Sequence, residues 1–170
     1  MFRILVTVLL VGGLIAMGGC RRASKKLSEK MMERGIEKSG GGKADVTVTD
    51  GKVSVKTKEG EFEAATGAEA KVPDGFPKDV FLPKGGKVVS TVKVPQGIMV
   101  AMELEDSPDK VAAEVAAAMK TEGWTEAMSS ASGDTRMFNY AKEESKRSAN
   151  FVISKSDKGC QIQIMAAVEK

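Results

Sequence analysis

The 170-residue chain has no histidine, only two cysteines, and few aromatic side chains, which make up 5% of its residues. Without histidine, the commonest general base and the Ser-His and Cys-His pairs of nucleophilic catalysis are missing. The usual ligand of transition-metal sites is missing as well. Two cysteines cannot form the framework of bridges that stabilises disulfide-rich domains. Familiar hydrolase and zinc chemistries are therefore disfavoured, and we expect neither a metal nor a cofactor.

Sequence motifs for other ligands are also missing. There is no G-x-S-x-G, P-loop, C-x-x-C or EF-hand spacing. Binding of single-stranded nucleic acid needs basic residues interleaved with exposed aromatics. The densest charge run, residues 142–147, contains no aromatic residue and is typical of a charged hairpin loop. We therefore expect no nucleic-acid partner.

The N-terminus has the layout of a secretory signal. Arg3 precedes an apolar run that extends to Gly19 and gives way to Arg21 and Arg22. A membrane-spanning helix needs about 20 apolar residues, and this run is shorter and contains four glycines. Residues 1–19 are therefore predicted to be a signal peptide.

The segment Met17-Gly18-Gly19-Cys20 resembles the lipobox of bacterial lipoproteins. This resemblance implies cleavage between Gly19 and Cys20, transfer of diacylglycerol to the Cys20 thiol and acylation of the new amine. The protein would then be held by membrane lipid on the non-cytoplasmic side of the cell envelope. Arg21 after the cysteine resembles lipoproteins that are sent to an outer membrane, where the cell has one.

Basic residues follow the predicted anchor closely, at Arg21, Arg22, Lys25 and Lys26. Such a cluster adds about 1 kcal/mol per charge at an anionic membrane surface. A solvated tether explains the same residues equally well. In either interpretation, residues 20–44 form a basic, flexible tether that ends in a glycine-rich spacer.

Residues 45–66 predict a three-stranded β-meander. The Asp50-Gly51 turn is a hairpin signal, and closing it pairs Val48 with Val53 and Val46 with Val55. A second turn at residues 59–60 predicts four further cross-strand pairs, which are Val55–Ala64, Thr57–Phe62, Lys56–Glu63 and Lys58–Glu61.

Residues 67–170 predict an α+β domain with the element order ββαββββ. A proline-rich strap comes first, then a hairpin turning at residues 95–97. Ser107 and Pro108 predict a helix start, and Gly123 predicts its left-handed C-cap, with Trp124 folding back on Met119. Four strands follow, at about 124–130, 134–142, 148–155 and 160–168. The fold class is therefore an antiparallel β-sheet with one main helix across it, preceded by the meander.

These elements together resemble a group of uncharacterised bacterial lipoproteins. The likeness lies in residues 73–80 (PDGFPKDV), in the helix start at residues 106–108, in the closing Gly123-Trp124, and in a Gly-rich spacer. It covers about residues 30–170 and brings no functional residues with it. The order of elements is also similar to α+β sheet domains used for binding, which is an analogy at fold level only.

Four carboxylates are close in sequence, at Glu103, Glu105, Asp106 and Asp109. Paired carboxylates can cleave glycosidic bonds. A solvated position for Glu103 and a helix-dipole role for Asp109 are simpler explanations. We therefore expect no catalytic residue, and keep a carboxylate-dependent enzyme acting on an envelope polymer as the alternative.

Ten methionines are present, and most are predicted to fill a core that is poor in aromatics. Met99 and Met165 are exceptions, because strand alternation places them opposite the main apolar face. A second layer or a partner would have to cover them. Cys160 alternates with apolar residues and is predicted to act as a small buried hydrophobe.

The predicted function is that of a lipid-anchored binding or structural module of the cell envelope. It would engage another envelope protein or a small apolar ligand, with Met99 and Met165 as the possible partner surface.

Overall fold

The computed structural model describes residues 30–35, 43–58 and 60–167. Residues 30–35 are helical, and nine strands and the main helix α1 follow. Their bounds are β1 Asp45–Thr49, β2 Lys52–Thr57, β3 Gly60–Thr66, β4 Lys87–Val94, β5 Gly97–Leu104, α1 Pro108–Thr121, β6 Thr125–Ser132, β7 Thr135–Lys142, β8 Arg147–Ser156 and β9 Gly159–Ala167. Single 3₁₀ turns lie at Gly67–Glu69 and Glu143–Ser145.

All nine strands form one antiparallel sheet in the order β1-β2-β3-β4-β5-β9-β8-β7-β6. Hairpin turns join β1 to β2 and β2 to β3, residues 67–86 connect β3 to β4, and a further hairpin joins β4 to β5. The chain then leaves the sheet through α1, starts again at the far edge with β6, and returns to pair β9 with β5. The prediction of an antiparallel sheet with one main helix is confirmed, although the molecule is mostly β. Because β3 pairs with β4, the meander and the strands of residues 67–170 share one sheet.

Helix α1 begins and ends where its capping residues predict. Ser107 is the N-cap, and its hydroxyl accepts a hydrogen bond from the Lys110 amide at 3.4 Å. At the other end Gly123 has a φ of +77°. The Trp124 amide donates to the Met119 carbonyl at 2.9 Å, and the Gly123 amide donates to the Lys120 carbonyl. This pattern is the Schellman C-cap, so both predicted ends are confirmed.

The core lies between α1 and the sheet face that we call the helix face. Helix α1 buries three residues, Val111, Val115 and Met119, and contacts β6, β7, β8 and β9. The opposing strands supply fully buried side chains, among them Val100, Phe151, Ile153, Cys160, Ile162 and Ile164. Alternation on β5, β8 and β9 sends every second residue into this layer.

The opposite sheet face, which we call the second face, is the apolar one on β1 to β3. Val53 pairs with Ala64, and Ala64 pairs with Val92. Val92 then pairs with Met99, whose neighbour Val100 points to the helix face. The apolar side of the sheet therefore changes from one face to the other between its two ends.

The predicted register of the first hairpin is confirmed, with Val48 opposite Val53 and Val46 opposite Val55. The predicted register of the second hairpin is wrong. Thr57 pairs with Gly60, so Gly60 is the first residue of β3 and not the second residue of the turn. The correct pairs are Val55–Phe62, Val53–Ala64 and Lys56–Glu61, and the ion pairs are Lys56–Glu61 at 3.2 Å and Lys52–Glu63 at 3.0 Å.

Residues 70–86 form an ordered strap without regular secondary structure. Val80 is buried, and three half-buried side chains, Phe76, Phe81 and Leu82, pack against the same core. The prolines of this segment prevent helix or central strand, whereas its apolar residues hold it on the domain.

Candidate functional site

The second face carries a cluster of methionines at the β9–β6 end of the sheet. Met99 lies directly opposite Met165. Met165 is opposite Asn150, which is opposite Asn139, which in turn is opposite Met128 on the edge strand. One row away, Met137 of β7 is opposite Val152. We call Met99, Met128, Met137 and Met165 the methionine surface.

Three of these four side chains are open to solvent. The exposed fraction is 54% for Met165, 55% for Met128 and 41% for Met137, while Met99 is half-buried. Large apolar side chains that are exposed together on one face mark interaction surfaces in soluble proteins. Methionine adapts its shape to different partners, and the amides of Asn139 and Asn150 add hydrogen-bonding groups between the thioethers.

Strand β6 borders the methionine surface and is exposed on both of its faces along its whole length. A bulge between Glu126 and Met128 shifts its alternation by one residue. Because of this shift, Met128 joins the second face while Glu126 is opposite Tyr140 of the helix face.

The sequence indicated two of the four members of this surface. Met99 and Met165 were predicted to lie opposite the main apolar face, and the structure places them side by side. Met128 and Met137 were expected in the core, and that expectation is wrong. For Met137 the sequence did contain a signal. Met137 alternates with Phe138 and Tyr140, which lie on the face that packs on the core, so Met137 must lie on the other face. Met128 depends on the bulge, which no sequence pattern marks.

The four carboxylates that are close in sequence are not brought together. Glu103 lies on the second face opposite Lys87, and Glu105 is exposed. Asp106 accepts from the Lys110 ammonium at 2.7 Å. Asp109 lies 2.9 Å from the Arg136 guanidinium.

A shallow depression of about 630 Å³ lies between the strap and α1. Asp106, Glu114 and Glu122 line it together with Lys84 and Phe81. Within residues 30–35, 43–58 and 60–167, no group of three acidic or thiol side chains is arranged to hold a metal ion.

A second polar cluster fixes the strap, and the sequence did not indicate it. Arg147 donates two hydrogen bonds to the Asp79 carboxylate, at 3.0 and 2.5 Å, and Lys142 donates another at 2.8 Å. The Trp124 indole donates to the Asp79 carbonyl at 2.7 Å. Both cations also lie over the Trp124 ring, 5.3 to 5.6 Å from its centre. We call these four residues the Asp79 cluster.

The electrostatics of this cluster are those of a structural ion pair. The hydrogen bonds from Arg147 and Lys142 lower the pKa of Asp79 to about 2, against the opposing effect of burial. Two cations face one carboxylate, so the cluster keeps one net positive charge, and Lys142 also donates to the Glu122 carbonyl at 3.0 Å. The conspicuous Asp79 of the strap is therefore occupied in holding residues 70–86 against the ends of β7 and β8.

Cys160 is fully buried on the helix face and is a free thiol. Burial raises the pKa of this thiol, which keeps it protonated and unreactive. The predicted anchor and its surroundings, Gly19, Cys20, Arg21, Arg22, Lys25 and Lys26, lie outside the described residues. Within the part of the chain that is described, no helix is long and apolar enough to cross a membrane.

Comparison with known proteins adds no relative. No protein-family model, curated protein or solved structure matches this chain. The resemblance to lipoproteins with the residue 73–80 segment stays a prediction.

Proposed function

We propose that this chain is a lipid-anchored module of the bacterial cell envelope that binds a partner through its methionine surface. The anchor would be the acylated Cys20, after removal of residues 1–19. The partner would be another envelope protein or a small apolar ligand. The observation that carries the binding role is the exposure of Met128, Met137 and Met165 on one continuous sheet face.

The position of this surface supports a role in binding rather than in folding. The core is completed on the helix face by α1 and the strap. The methionines therefore lie on the face away from this core, where they are not needed to fill it. An apolar area left open in this way gains the hydrophobic stabilisation of burial only when a partner covers it.

The binding role is tested by photo-crosslinking in cells. A photoreactive amino acid at Met165 should yield a defined product with an envelope protein or an apolar small molecule, identified by mass spectrometry. The matched control is the same amino acid at Glu61, which is exposed on the helix face of β3. Equal products from both positions, or none from Met165, would refute a binding role for the surface.

The anchor is tested separately by Cys20→Ser. We expect the variant to lose acylation, to be no longer cleaved after residue 19 and to leave the membrane fraction. Normal processing and detergent-dependent extraction of the variant would show that Cys20 is not the anchor.

The alternative of an enzyme acting on an envelope polymer has one observation in its favour, the depression lined by Glu114 and Glu122. Asp106 at the same place is paired with Lys110, so an acid and base pair would have to be these two glutamates. Loss of an envelope-polymer cleavage activity in Glu114→Gln and Glu122→Gln, with crosslinking from Met165 unchanged, would favour the enzyme.

A further inference from the structure

Two valines at the β1–β2 end of the second face are buried without help from helix α1. Val46 is 4% exposed and Val53 is 7% exposed. Helix α1 contacts only β6 to β9 to any extent, and it lies on the other face. A sheet face left bare keeps its side chains partly open, as the methionine surface shows. We call Val46 and Val53 the valine patch, and its burial indicates a covering layer.

The burial of the second face changes steadily from one end of the sheet to the other. Val53 is buried, its neighbours Ala64, Val92 and Met99 are half-buried, and Met165 is more than half exposed. These five residues are successive cross-strand partners. The covering layer therefore lies over β1 and β2 and ends before β9.

The helical segment at residues 30–35 has one shielded side. Met31 is 67% exposed, whereas the next residue, Met32, is half-buried. Successive residues of a helix point about 100° apart, so one side of this segment is covered and another is open. Nine residues connect Gly35 to Asp45, and the ten steps from residue 35 to residue 45 span at most about 35 Å. This length exceeds the roughly 17 Å of a five-residue strand, so the segment reaches any point of the valine patch.

We propose that residues 30–35 pack across the valine patch through Met32 and form the second layer of that end of the sheet. The tether would then be shorter than its sequence indicates. A further consequence rests on the proposed anchor at Cys20: only residues 21–29 would separate the lipid from the folded domain. The β1–β3 end would be held near the membrane, with the methionine surface at the far end.

The proposal is tested by comparing Met32→Lys with Met31→Lys in the full chain. A lysine at residue 32 would have to leave the valine patch, whereas a lysine at residue 31 stays in solvent. We expect amide hydrogen exchange at Val46 and Val53 to become roughly tenfold faster in Met32→Lys only. A tenfold faster exchange means that local opening costs about 1.4 kcal/mol less, which is the size of one modest packing contact. Exchange at Val111, in α1, should stay unchanged and reports that the domain is folded.

Unchanged exchange at the valine patch in Met32→Lys, or equal acceleration in both variants, would overturn the proposal. The unmodified chain gives a second test that does not depend on folding of a variant. Under mild peroxide, Met32 should form its sulfoxide several-fold more slowly than Met31, and equal rates would also overturn the proposal. Failure of the anchor is distinguishable from failure of this proposal, because Cys20→Ser would then leave membrane association unchanged while the exchange and oxidation readouts keep the results expected here.

Discussion

In the half of the sheet formed by strands β5 to β9, the helix face is packed under α1 and the strap. In the half formed by β1 to β3, the apolar residues lie on the second face. The two regions share one continuous ladder of hydrogen bonds through β3 and β4, yet each buries a different side. Alternation of side chains along a strand is fixed, but which side is apolar can change from strand to strand. A single sheet thus has one complete core, one buried valine patch and one face with exposed methionines.

The largest effect should separate the two regions by stability. Phe151→Ala removes a fully buried ring from the core under α1, and we expect a loss of about 3–5 kcal/mol in the free energy of unfolding. Val53→Ala removes two methyl groups at the valine patch and should cost about 1–2 kcal/mol. Urea unfolding measures both. Equal losses would show that burial at the β1–β3 end stabilises the fold as much as burial in the core under α1.

The next effect concerns the Asp79 cluster, which belongs to the β5–β9 region alone. Asp79→Asn removes the charge that Arg147 and Lys142 bind, and should cost about 1–3 kcal/mol at neutral pH. The exposed Asp74 of the same strap is the control, and Asp74→Asn should change little.

The pH dependence of the Asp79 cluster has a defined sign. Its carboxyl has a pKa of about 2 in the folded protein, below the ordinary value of 3.8. The stabilisation is therefore complete above about pH 5 and is lost as the pH falls through 3.8 toward 2. The difference between the parent chain and Asp79→Asn should shrink over this range in acid unfolding curves. A difference that is constant down to pH 2 would contradict the ion-pair account.

The sequence was informative where local chemistry decides the structure. The caps at Ser107 and Gly123 use hydrogen bonds within one turn, and the Asp50-Gly51 hairpin needs only one glycine with a positive φ, which is +83° here. The second hairpin failed because Gly60 can serve either as a turn residue or as the start of a strand. Which role it takes depends on pairing along the whole of β2 and β3.

Long-range features were less accessible from sequence. The contact between Asp79 and Arg147 joins residues 68 positions apart, and no spacing rule connects them. The position of Met128 on the second face depends on a bulge in β6. The change of apolar side also could not be predicted, because it appears only when β3 is known to pair with β4.

The smallest effect tests the corrected register of the β1–β3 end. Lys56 and Glu61 are 3.2 Å apart on exposed side chains, so their coupling free energy should be about 0.2–1 kcal/mol. A double-mutant cycle with alanine at both positions measures it. The same cycle for Lys58 and Glu61, which the uncorrected register would pair, should give no coupling. The reverse result would restore the first register.

The most direct test of the whole account uses the methionines as probes of the two sheet faces. Under limited peroxide oxidation of the isolated chain, we expect Met128, Met137 and Met165 to form sulfoxides fast, and Met102 and Met119 of the core to stay protected. In intact cells the first three should become protected by the bound partner. If the exposed three are as slow as Met102 and Met119 in the isolated chain, the open methionine surface does not exist.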